Sequence, residues 1–363
     1  MRLLRWQSLR ILITDVVVWV FAMVLFVFLR YYDKHNGEVM IPAAEPVLSF
    51  NYTLWLGIQS GLILGLVYGI VDIFLDQHWL RKRSYATVLI TKALLHFAII
   101  LSLSIFLRVE AFEVMGIELT PRQLGNSLAN PGVVIIFLYT TLVNFTINFI
   151  RQITLKFGPG NLTKFLTGKF HHPKEELRIF MFLDMKDSTA HAERLGHVQF
   201  GELIQDCFSD LTVVENHQAE VYQYVGDEAI IYWEVDKGLK NRNCIMSYFD
   251  FKQRLEVRSN YYLEKYGVQP EFKAGMNIGP VTITEIGDIK RDLAFLGDTM
   301  NTAARIQDLC NQYGAELLIS GSLSAQLPGP SNLELIQVDH LELKGKQQSV
   351  GIFSVALKKI IQP

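Results

Sequence analysis

Arg178-Ile179-Phe180-Met181-Phe182-Leu183-Asp184-Met185-Lys186-Asp187-Ser188-Thr189 decides how the second half of this 363-residue chain folds. Its apolar run does not alternate with polar residues, so Leu177 to Leu183 reads as a strand buried on both faces, ending at Asp184. Beyond it, Ala192, Leu195, Phe200, Leu203, Ile204 and Phe208 recur with helical spacing. Ser188 or Thr189 is the natural N-cap of that helix. A strand, a tight turn and a helix N-terminus in this order aim backbone N–H groups at a phosphate, which makes Ser188 and Thr189 candidate substrate-binding residues.

Two further segments complete the pattern. Glu220 to Tyr224 and Ala229 to Trp233 read as the strands of a hairpin turned at Gly226-Asp227. Asp227 therefore sits at a strand tip, as Asp184 does. Two carboxylates on adjacent tips can hold two Mg²⁺ or Mn²⁺ ions, hard cations that bridge substrate phosphates. In Phe295-Leu296-Gly297-Asp298-Thr299-Met300-Asn301-Thr302-Ala303-Ala304-Arg305, a turn opens a helix over Thr299 to Leu309. Asn301 and Arg305 are four residues apart on one helix face. A neutral donor beside a guanidinium suits ribose orientation and stabilisation of a charged transition state.

With Leu343-Lys344-Gly345-Lys346 and the closing strand Ile352-Phe353-Ser354-Val355, these motifs make the chain from about Arg178 to Val355 resemble the class III adenylate and guanylate cyclases. The resemblance implies an α+β domain with a ferredoxin-like, palm-type sheet and covering helices. It implies that Asp184 and Asp227 are metal ligands for two Mg²⁺ (or Mn²⁺) per site, that Asn301 orients the ribose, that Arg305 stabilises the transition state and that Lys344 touches the triphosphate. It also implies a head-to-tail homodimer in which one chain supplies the carboxylates and the other Asn301 and Arg305. The sequence departs from the family at the base-selecting positions. Gln223 stands where adenylate cyclases usually carry Lys, and Ala294 stands where they carry Asp or Thr. Gln223 can donate and accept, so it can read either purine edge. Ala294 reads nothing polar. The family as a whole favours ATP, with GTP as the alternative.

The first half has a different character. Half of the chain is apolar, and the excess lies before about Arg151, in runs at roughly 11–30, 51–75, 86–107 and 131–150. Each is near the length that spans a bilayer as a helix. Arg2, Arg5 and Arg10, then Arg81, Lys82 and Arg83, then Arg151 and Lys156 flank these runs. By the positive-inside rule both termini face the cytoplasm, so the expected location is the inner membrane, with the second half in the cytosol. Gly57, Gly61, Gly65 and Gly69 form one small-residue stripe for close helix packing, within the subunit or across a dimer. Asp72 and Lys92 fall at similar depth and suit an interhelical ion pair, whereas Asp15 and Asp72 could equally reach the interface. Lys92 and His96 share a face, which leaves room for a proton- or ligand-sensing role. The loop from Arg108 to Asn130 reads as an interfacial helix or a small sensor surface.

The expected organisation is therefore a four-helix transmembrane domain over 1–151, a signal-transducing linker over 152–176 and a cyclase domain over 177–358. A net charge of −2 offers no general attraction to nucleic acid. Membrane lipid, a nucleoside triphosphate and a second copy are the expected partners. Cys207, Cys244 and Cys310 have no metal-ligand spacing and read as reduced, buried thiols. A diguanylate cyclase would leave the Asn301/Arg305 helix unexplained. A catalytically silent cyclase-like receptor would have no need for both carboxylates. Four spans without an inverted repeat argue against a transporter.

Overall fold

The computed structural model describes residues 2–35, 50–78, 84–114, 120–157, 167–289, 291–329, 332–342 and 349–358. The chain divides into two compact units, Met1–Lys156 and Phe157–Pro363. The division falls within the expected linker. The linker stretch 162–170, where the spacing of Leu162, Phe165 and Leu166 suits a short helix, lies largely outside the described residues, as does Lys344 with the segment around it.

The first unit is built from helices α1 (Arg2–His35), α2 (Phe50–His78), α3 (Tyr85–Val114), α4 (Pro121–Leu128) and α5 (Pro131–Phe157). Among the described residues, three stretches are long and apolar enough to cross a membrane: Ile11–Arg30, Thr53–Leu75 and Pro131–Thr154. The third of the four expected spans falls short, because the apolar part of α3 covers only Ala86–Ser102. Lys92 and His96 lie within that part.

The glycine stripe of α2 packs inside the subunit, against α1. A Cβ on Gly65 would lie 2.5 Å from Val16 Cα, and one on Gly61 2.6 Å from Val20 Cα. These glycines let the two backbones meet directly. Four charged residues, one from each long helix, then close the unit. Asp72 pairs with Lys92 at 3.2 Å, as the sequence suggested. Arg151 bridges Asp72 and Asp15, the latter at 2.5 Å. Asp15 and Asp72 are buried and ion-paired. Two carboxylates and two cations leave the cluster neutral, which is the condition for burying it in an apolar bundle. His96 stacks on Trp19 at 5.8 Å and tilts against Tyr68 at 4.6 Å, and its Nδ1 accepts from Asn144 Nδ2 at 2.8 Å.

The second unit is an eight-stranded sheet with the order β2-β3-β1-β4-β6-β8-β7, and β5 paired to β4. Its strands are β1 (Lys174–Met185), β2 (Glu220–Val225), β3 (Glu228–Glu234), β4 (Phe272–Ile286), β5 (Asp292–Leu296), β6 (Leu317–Ser320), β7 (Leu333–Glu342) and β8 (Ser349–Leu357). Helices α6 (Ser188–Asp210), α7 (Asn243–Val257), α8 (Ser259–Tyr266) and α9 (Asp298–Asp308) cover it.

The period-2 geometry of β1 explains the two-sided core. Ile179, Met181 and Leu183 join one cluster with Leu203, Trp233 and Phe251, while Phe180 and Phe182 join another with Tyr232, Phe295 and Ala303. Alternation therefore turns Asp184 toward the face covered by α9. On the opposite side, Asp210 of α6 accepts from Arg254, Arg258 and Tyr262, and Asp206 from Tyr261, Lys265 and Tyr266. These bonds fasten α6 to α7 and α8. Cys207, Cys244 and Cys310 are free and buried, as the sequence indicated.

A side chain at Gly65 has no room beside Val16, so Gly65→Val is expected to destabilise the first unit by about 1–3 kcal/mol, the usual cost of overpacking. Gly125→Ala, where nothing lies within 4 Å of an added Cβ, is the control. Thermal unfolding in detergent checks both; equal melting temperatures would refute the tight α1–α2 seam.

Candidate active site

The antiparallel register of β1 with β3 brings the two strand-tip carboxylates together. Asp184 pairs across the ladder with Glu228, so Asp227, one residue earlier in the turn, lies beside it. Gly226 adopts φ 63°, the left-handed conformation this tight turn needs. Burial, and then the charge of Asp227, push the Asp184 carboxyl above the usual range, while Lys273 pulls it down. Glu228 is pushed up to about 7, by burial first and then by Asp184 and Asp227. The site thus concentrates negative charge. Among the described residues, the donors facing Asp184 are Gln307 Nε2 at 3.1 Å and Lys273 Nζ at 3.4 Å, both on Oδ2.

This donor set fits a hard divalent cation, since every ligand is a carboxylate oxygen and the excess charge calls for a counter-ion. Among the described residues no group of three or more His, Cys, Asp or Glu side chains is arranged to hold a metal. The Asp184–Asp227 pair would therefore leave coordination positions for phosphate oxygens and water.

The turn after Asp184 differs in detail from the expectation. The N-cap of α6 is Asp187, in a left-handed conformation (φ 53°, ψ 28°) and without a side-chain capping bond. The reason is local: only three residues separate Asp184 from Ser188, so the chain must reverse at Asp187. Ser188 and Thr189 become the first two helical residues, and their backbone N–H groups are among the first four, which have no helical partner.

On α9, Asn301 is exposed and Arg305 half-buried. Among the described residues, no hydrogen bond or ion pair joins either side chain to another residue of the chain. The helix itself is pressed onto β4. A Cβ on Gly275 would lie 2.2 Å from Gln307 N and 2.6 Å from Ala303 O. Thr299 Oγ1 donates to Pro280 O at 2.7 Å, and Asn277 Nδ2 to Thr299 O at 3.1 Å.

Gln223 lies exposed on edge strand β2, beside a register shift between Val221 and Gln223. Ala294 is buried on β5 opposite Thr284. Tyr222 and Phe295, their chain neighbours, meet edge to face at 4.9 Å, so the two strands come together at this point. The structure brings Asp184 and Asp227 together and shows no contact between them and Asn301 or Arg305 within one chain. Sequence reasoning missed Gln307 and Lys273. Each left a faint signal: a charged residue inside the apolar run of β4, and an amide two residues past Arg305.

The model of the adenylate and guanylate cyclase catalytic domain matches residues 171–355, just over half of the chain. Adenylate cyclase 2 of Rhizobium meliloti (strain 1021) is 29% identical over 221 residues, covering 61% of this chain and 61% of its own length. An adenylate cyclase of Anabaena cylindrica is 25% identical over 184 residues, covering 48% of this chain and 36% of its own. The chain thus spans less than two thirds of either relative. A bacterial light-regulated adenylyl cyclase of known structure is alike in fold, with a TM-score of 0.50 at 18% identity, covering 61% of this chain and 65% of that one.

Asp227→Asn removes one of the crowded negative charges. Without divalent ions it is expected to raise the melting temperature by about 2–4 °C, on the order of 1 kcal/mol. Calorimetry of the full chain in a chelating buffer measures this; an unchanged or lower value would mean that the carboxylates do not repel one another.

Proposed function

Because the chain belongs to the family of adenylate and guanylate cyclase catalytic domains, we propose that it is a membrane-bound nucleotide cyclase that converts ATP to 3′,5′-cyclic AMP and pyrophosphate. The observation that carries the reading is the pair Asp184 and Asp227 on adjoining strand tips, with few cations to offset their charge. The adenylate cyclases it is similar to favour ATP over GTP. The organisation proposed is a membrane domain over 1–151 with four spans, a linker over 152–176 and a catalytic domain over 177–358, with both termini in the cytoplasm.

In this reading Asp184 and Asp227 would hold two Mg²⁺ or Mn²⁺ ions, which would supply Lewis acidity and offset charge on the phosphates. Ser188 and Thr189, with the N–H groups that open α6, receive the phosphates. The 3′-oxygen attacks the α-phosphorus, the bond to the bridging oxygen breaks, and pyrophosphate leaves. Asn301 holds the ribose so that this oxygen is in line, and Arg305 places its guanidinium on the charge that grows at phosphorus. Lys344 binds the triphosphate.

Asn301 and Arg305 make no contact with the carboxylates of their own chain, and that supports a head-to-tail homodimer in which they serve the second chain's site. Gln223 and Ala294 face the base. Because Gln223 both donates and accepts, GTP is the second reading.

Full-length protein in nanodiscs, given ATP or GTP with Mg²⁺ or Mn²⁺, is expected to form cyclic AMP, and Asp227→Ala none. Product from GTP alone would make it a guanylate cyclase; no product from folded, dimeric protein would favour a silent receptor. Arg305→Ala is expected to lower kcat by about 10²–10³-fold. A mixture of Asp227→Ala and Arg305→Ala chains is expected to regain activity, because mixed dimers contain one complete site; failure to do so would refute the shared-site arrangement.

A further inference from the structure

Helix α9 carries two rows of functional side chains that point in different directions. Thr299, Ala303 and Gln307, at i, i+4 and i+8, lie against the sheet, while Asn301 and Arg305 form the outward row. At its C-terminal end the sheet-facing row reaches the site. Gln307 is buried, with 4% of its surface exposed, and its Nε2 donates to Asp184 Oδ2 at 3.1 Å. It can do so because Gly275 lets the α9 backbone touch β4, where a Cβ would meet Gln307 N at 2.2 Å. The bond joins an amide to a carboxylate that burial and Asp227 both disfavour in its charged form. A fixed donor on Oδ2 orients the carboxylate.

We propose that Gln307 is a positioning residue that sets the orientation of the Asp184 carboxylate for its divalent ion. The inference rests on the cyclase reading of Asp184. Lys273, on the same oxygen at 3.4 Å, adds charge, whereas the planar amide of Gln307 adds direction. Gln307 therefore acts on the site formed by its own chain's carboxylates, while two residues earlier Arg305 serves the other site of the dimer.

Partners that orient a metal ligand are typically worth about 10–100-fold in metal affinity. In Gln307→Met the side chain keeps its length and loses its donor. Titration of Mn²⁺ by electron paramagnetic resonance, with full-length protein and a non-cyclisable ATP analogue, is expected to show about ten-fold weaker binding than wild type. Activity should return as Mn²⁺ is raised, with kcat near that of wild type. Mixed dimers locate the effect. In a dimer of Asp227→Ala and Arg305→Ala chains the working site takes its carboxylates from the Arg305→Ala chain. Adding Gln307→Met to that chain should raise the Mn²⁺ requirement about ten-fold, and adding it to the Asp227→Ala chain should leave it unchanged.

Equal shifts from both placements, or no shift from either, would overturn the proposal. If Gln307→Met does not fold, Gln307→Leu, which also lacks a donor and carries no charge, gives the same reading and should also weaken Mn²⁺ binding. Wild-type protein that binds no Mn²⁺ with the analogue would instead overturn the cyclase reading itself. Wild-type binding matched by both variants would overturn only the role of Gln307.

Discussion

The contact between α9 and strand β4 at Gly275 is the constraint on which the catalytic unit depends. A helix over a sheet usually stands off by the thickness of a side-chain layer. Here the backbone of α9 lies within 2.2 Å of where a Cβ would be. That closeness presses Ala303 into the apolar cluster around Phe180 and Phe295 and brings Gln307 over the end of β1. It also fixes which side chains of the helix are left to face outward. Asp184 belongs to one sequence motif and Asn301 and Arg305 to another, yet one backbone contact sets the geometry of all three.

The first unit uses the same device with different partners. Gly61 and Gly65 remove the side-chain layer between α1 and α2, and backbone meets backbone. Such a seam is geometrically exact but adds little that would select the neighbouring helices. The neutral cluster of Asp15, Asp72, Lys92 and Arg151 supplies the selection, because leaving out any one helix would strand a buried charge. Arg151 stands near the end of α5, so the helix that leads out of this unit is held to both α1 and α2 by charge.

Much of this was legible in advance, and the limits have physical causes. The uninterrupted run Ile179 to Leu183 could only be a doubly buried strand, and Gly226-Asp227 between two β-rich stretches could only be a hairpin turn. Those two inferences placed Asp184 and Asp227 side by side. The Asp72–Lys92 pair followed from depth alone. Arg151 did not, because a cation at a helix end reads as an interfacial anchor, and only packing shows it turned inward. The N-cap at Asp187 was hidden for a similar reason: serine and threonine are better caps than a left-handed aspartate, but the short turn overrode the preference. Gln307 and Lys273 left only faint signals because their importance lies in which strand a helix touches, and that is a tertiary fact. The apolar part of α3 is shorter than those of α1, α2 and α5, and it contains Lys92 and His96, which the fold uses as polar links.

The three cysteines have a practical consequence. All are free and buried, and burial pushes the Cys207 and Cys244 thiols up to about 12 and that of Cys310 up to about 11. Since the thiolate is the reactive form, the folded protein should be almost inert to maleimides and to mild oxidants. The native chain is in effect already a cysteine-free background for labelling. A single surface cysteine could carry a spin label or fluorophore without prior mutagenesis of the core, and distances between two copies of the chain, or between α5 and the sheet, could be followed while nucleotide binds.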